Sequence, residues 1–145
     1  MNGEGDLGRA AAGEIRRQYG ALEVDALAER MGVAVESSDR DGGYGTVIVF
    51  ADYTPRPPRI RLYRRAIEAL DAQLAGYPDR GRLPTGTRPL FLAHELFHHW
   101  EALHPGERRD REQSEHAAGS FAMALLGLTC HPEQLERLAR RTLQP

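Results

Sequence analysis

Residues 88–103 read RPLFLAHELFHHWEAL. Apolar side chains crowd this stretch, Thr87 stands where an N-cap would sit, Pro89 suits a first turn, and Pro105-Gly106 follows as a breaker. The pattern predicts one helix running from about Leu90 to Leu103. Inside it lies His94-Glu95-Leu96-Phe97-His98, an H-E-x-x-H. Residues four apart on a helix are about 40° apart around its axis, so His94 and His98 share a face. Two such imidazoles can bind one zinc ion at ~2.0–2.1 Å. Glu95 falls about 100° further round, beside the metal, where a general base for an activated water belongs. An otherwise apolar helix does not carry two histidines and a glutamate without partners for them, because unpartnered polar groups are costly in a core.

A catalytic zinc site needs a third protein ligand and an open position. His104 completes H-x-x-x-H-x-x-x-x-x-H, but Glu101 occupies the place of a turn-forming glycine. On a continuous helix His104 lies about 240° round from His98. Glu115 is the other candidate and the one preferred. A helix is expected over 113–127, on which Glu115, Ala118 and Ala122 fall at i, i+3 and i+7. Its small residues allow a close approach to the zinc helix, and the link at 104–112 suits an antiparallel return. His116 and Glu112 are the nearest substitutes. Donors for a developing oxyanion could come from Tyr44, Tyr63, His99 or His104, with Tyr63 and His104 foremost.

Upstream, the first seven residues are glycine-rich and expected to fray, and a helix is read over 8–18. Val24, Leu27, Ala28 and Met31 form a helical stripe that Gly32 would close. Short strands are expected at 33–36 and 46–50, with a turn at 41–43 between them and a loop over 53–58. Arg59-Ile60-Arg61-Leu62-Tyr63 alternates at period two and reads as a half-exposed strand at an edge. A helix over 65–75, a loop over 76–87 and a last helix from His131 complete the order. This predicts an α+β domain with a small, about three-stranded antiparallel sheet packed with helices.

The chain has 145 residues, a single domain's length, and is 41% hydrophobic and 28% charged, the balance of a folded globular protein. No apolar run approaches the ~20 residues that cross a bilayer, and the start of the chain has no secretory h-region. One cysteine, Cys130, rules out an internal disulfide and a cysteine-rich zinc site, so a cytoplasmic setting is expected. The net charge of −2 argues against direct nucleic-acid binding. All 19 basic residues are arginine, which excludes lysine Schiff-base chemistry and a P-loop.

The stretch from Arg88 to His98, followed by Glu115-x-x-Ala118-x-x-Phe121-Ala122-x-x-Leu125-Leu126, resembles the ImmA/IrrE-type zinc metallopeptidases. Those proteins carry an RxxFTLAHELGH helix and then an ExEANxFAxxLLMP helix. The similarity covers roughly residues 20–132, and its specific part is the two helices. The family's glycine within the motif is Phe97 here, its second Glu and its Asn are Ala117 and Gly119, and its Met-Pro end is Gly127-Leu128. The resemblance implies a zincin-like minimal metallopeptidase domain in which His94, His98 and Glu115 bind Zn2+ and Glu95 is catalytic. It implies a protein or peptide substrate, such as a co-encoded helix-turn-helix repressor or antitoxin. An extended substrate is expected to add to strand 59–63. A zinc-containing protein-binding module without peptidase activity is the alternative.

Overall fold

In the computed structural model, which describes residues 3–40, 49–74, 86–106 and 109–127, the H-E-x-x-H helix lies between the sheet and the last described helix. The order is α1 (Gly3–Tyr19), α2 (Val24–Arg30), β1 (Ala34–Ser38), β2 (Ala51–Pro55), β3 (Pro58–Tyr63), α3 (Arg64–Leu74), α4 (Arg88–Leu103) and α5 (Arg111–Leu126). The fold is α+β. One side of α4 meets β2 and β3, another meets α5, and α2 also packs on it; α1 covers α5. Because α4 is enclosed on several sides, Leu90, Leu92, Leu96 and Phe97 are all buried, which is why the stretch is apolar nearly all round rather than along one stripe. No helix among the described residues is long and apolar enough to cross a membrane.

The sheet order is β1-β3-β2. This corrects two expectations. The strand at 59–63 is central rather than at an edge, and the sheet is mixed rather than antiparallel. β3 pairs parallel with β1 (Glu36 opposite Arg61) and antiparallel with β2 (Tyr53 opposite Ile60). The alternation that suggested an edge reports only which face is buried. Ile60 and Leu62 enter the core, while Arg59 and Arg61 sit outside, 3.4 and 3.8 Å from Glu36. Side-chain period two says nothing about whether both backbone edges are paired.

Element boundaries also moved. β2 occupies 51–55, overlapping the expected 53–58 loop; Val49 and Phe50 of the expected 46–50 strand are not in a strand, and residues 46–48 lie outside the described residues. Pairing with β3 across the tight turn at 56–57 makes 51–55 a strand, since β propensity measures fit to a surface more than backbone preference. The first helix starts at Gly3, not at 8, so residues 3–7 are helical rather than frayed. Its docking on α5 supplies the reason. A Cβ at Gly8 would meet the Ala117 carbonyl oxygen and, at 2.7 Å, the Phe121 nitrogen, so this glycine permits backbone-to-backbone approach. The 41–43 turn, most of the 76–87 loop and the helix from His131 lie outside the described residues.

Two local devices set the start of α4. Thr87 is at the N-cap, yet its side chain does not cap the helix. Its backbone N–H and its hydroxyl both donate to Asp71 Oδ1, at 2.9 and 2.8 Å, which fastens α4 to α3. Gly86, at φ 81°, takes the left-handed turn before it.

Candidate metal centre

His94 and His98 leave the same face of α4, with ring centroids 5.2 Å apart and planes at 68°. The partner is brought by α5. That helix begins in a capping box, in which Asp110 accepts from the Gln113 N–H and the Gln113 side chain accepts from the Asp110 N–H. The box starts α5 two residues earlier than the expected 113 and places Glu115 early in the helix. Ala117, Ala118 and Ala122 are fully buried, and the Phe121 ring lies 5.7 Å from that of Phe97. This register puts the Glu115 carboxylate across both imidazoles. His94 Nε2 is 2.7 Å from Oε2, and His98 Nε2 is 3.3 Å from Oε1.

Glu95 stands at the same place. Donor atoms of His94, Glu95 and His98 all lie within 4.8 Å of one another, so this group could hold a metal ion. Two carboxylates therefore border the imidazole pair, in different surroundings. Glu95 is 9% exposed, whereas the Glu115 side chain is 44% exposed, so the centre opens towards solvent on the α5 side. Burial pushes the Glu95 carboxyl above its ordinary value against the pull of His94 and His98. Burial acts on Glu115 in the same sense, but hydrogen bonds with both histidines outweigh it and hold this carboxyl well below the usual carboxylate range. For His98, burial opposes the charge, and Glu115 and Glu95 more than restore it. The two carboxyls are thus pushed in opposite directions, Glu95 upwards by burial and Glu115 downwards by its contacts with both histidines. Two imidazoles with carboxylates beside them are donor types that fit a borderline divalent ion.

No family model, curated protein or solved structure matches this chain. The chemistry of the centre therefore rests on its own residues.

The remaining candidates are engaged elsewhere. His104 ends α4, with Nδ1 2.8 Å from the Trp100 carbonyl oxygen, its ring stacked on Trp100 and Nε2 3.4 Å from Glu14 of α1. The Tyr63 hydroxyl donates to Asp52 at 2.5 Å, and its ring is buried. His99 is buried and accepts or donates at Nδ1 with the Tyr53 hydroxyl, 2.8 Å away, on the sheet side of α4. Tyr44 lies outside the described residues. Of the substitutes for Glu115, Glu112 is exposed, and it is Glu115 rather than His116 that meets both imidazoles.

Sequence reasoning missed three side chains that support the centre. Glu101 Oε1 accepts from the Ser114 hydroxyl at 2.7 Å, and Glu101 Oε2 accepts from Arg109 Nε at 2.9 Å. Ser114 Oγ is also 3.4 Å from His98 Nδ1. Glu101 was legible, being three residues after His98 on one helix. Ser114 and Arg109 were not, because their contact needs the register between two helices.

Proposed function

We propose that this chain is a zinc-dependent endopeptidase, the activity its two-helix resemblance implies, with His94, His98 and Glu115 as the zinc ligands. The observation that carries the reading is the Glu115 carboxylate lying within 3.3 Å of both imidazole Nε2 atoms while Glu95 is buried beside them. Zinc held there would supply Lewis acidity to a peptide carbonyl and make water a nucleophile near neutral pH.

The chain's own residues do the rest. Glu95, shielded from solvent and biased towards protonation, takes the proton of the attacking water on its carboxylate and returns it to the departing amine nitrogen. His94 and His98 stay fixed on a helix whose core contacts prevent rotation. Glu115 balances charge and leaves the solvent side open for substrate. A peptide would extend the sheet along the outer edge of β2, which packs on α4, because β3 has partners on both sides. The substrate class we infer is a protein, such as a co-encoded helix-turn-helix repressor or antitoxin. Of the departures from the resembled pattern, Phe97, Ala117 and Gly119 are buried packing positions, which favours a peptidase over an inactive binding module, while Gly127 is exposed and Leu128 lies outside the described residues.

Purified without a histidine tag, the protein should contain about one zinc per chain, and Glu95→Gln should keep the metal while abolishing cleavage of a neighbouring-gene regulator. Unchanged cleavage by that variant would falsify the role of Glu95. Bound zinc with an intact, tightly held regulator would replace the peptidase by the binding module.

A further inference from the structure

The Glu101–Ser114–Arg109 cluster lies behind His98, on the side of the ring away from Glu115. We infer that Glu101 is a positioning residue for His98, acting through the Ser114 hydroxyl so that Nδ1 carries the proton and Nε2 presents its lone pair to the metal. The inference rests on the zinc reading above.

The direction follows from counting protons. Glu101 is an acceptor only, and Arg109 Nε donates to one of its oxygens at 2.9 Å. The other oxygen, 2.7 Å from Ser114 Oγ, takes the single hydroxyl proton. Ser114 Oγ is left with acceptor capacity alone, and the nearest ring atom to use it is His98 Nδ1, at 3.4 Å. His98 Nδ1 must therefore bear the hydrogen. Charge alone favours the same polarity, since the Glu101 carboxylate, at 3.6 Å too far for a hydrogen bond, faces Nδ1. Either route leaves Nε2 as the ligand atom, and Nε2 is the atom that faces Glu115. Arg109 keeps the relay polarised. Its side chain and that of Glu101 are 17% and 24% exposed, so solvent competes only weakly for the pair. Ser114 precedes Glu115 on α5, and Glu101 follows His98 on α4. The cluster thus ties the orientation of one ligand to the helix that delivers another.

The test measures zinc affinity of the whole chain by competition with a chromogenic chelator. Outer partners of this kind are worth roughly 10–100-fold in metal affinity. Glu101→Gln, which keeps the shape, and Ser114→Ala, which removes the relay atom, should each weaken zinc by about that factor. The double variant should be no weaker than the weaker single one, because both break a single link. The cobalt-substituted protein should change its visible absorption in both variants. A role confined to packing would lower the melting temperature of the metal-free chain and leave zinc affinity and the cobalt spectrum alone. Affinities within twofold of the parent in both variants overturn the inference and leave the zinc reading intact. A parent that binds no zinc overturns both.

Discussion

Glu115 decides the centre at the level of single side chains. Among the described residues it is the one group from outside α4 whose oxygens reach both imidazoles, at 2.7 and 3.3 Å. Replacing it with alanine should remove the third ligand and drop bound zinc, measured by elemental analysis, to well under one per chain, with the helical circular dichroism kept. His104→Ala should leave zinc content unchanged, because that ring is stacked on Trp100 and turned towards Glu14. The pair of variants separates the two ligand sets that the spacing of residues alone left open. Glu95 and Glu115 have the same chemistry, yet their surroundings divide them. Burial prevails at the first, and contact with two histidines prevails at the second.

The helices α1, α4 and α5 are stacked so that the centre depends on their spacing. Gly8 sets one of these distances, because α1 approaches the backbone of α5 between Ala117 and Phe121. Gly8→Ala should force the helices apart and destabilise the chain by roughly 1–3 kcal/mol, as overpacking does. Thermal unfolding of the metal-free protein checks this; a melting temperature equal to the parent's would mean that α1 is not held against α5 as described. The capping box at Asp110 and Gln113 shows how an element's start can be missed. The signature Asp-x-x-Gln is present in the chain, whereas apolar periodicity begins only with the buried residues and points to a start two residues late. The error did not move Glu115 off the helix, and its carboxylate lies beside both imidazoles.

For the molecule as a whole, metal and fold should be linked, since an ion held by α4 and α5 binds the native state and not the unfolded chain. Zinc at about 100 times its dissociation constant should add about 2.7 kcal/mol to stability, read as a higher melting temperature that a strong chelator reverses. An unchanged melting temperature with and without zinc would remove the metal from between the helices. The sequence alone was enough to read the α+β class and the buried helix, and to name His94, Glu95, His98 and Glu115 as candidates, because helical periodicity places side chains on faces without reference to anything distant. It misjudged the strand pattern, since Arg59 and Arg61 report an exposed face while the parallel partner β1 attaches through backbone groups that carry no residue signature. It was silent on Ser114 and Arg109 for a related reason. Their roles arise where α5 crosses α4, and the offset between two helices is set by how Phe97, Phe121 and the small alanines fill the space between them. Local spacing therefore chose which atoms could become ligands, and only long-range packing chose which of them meet.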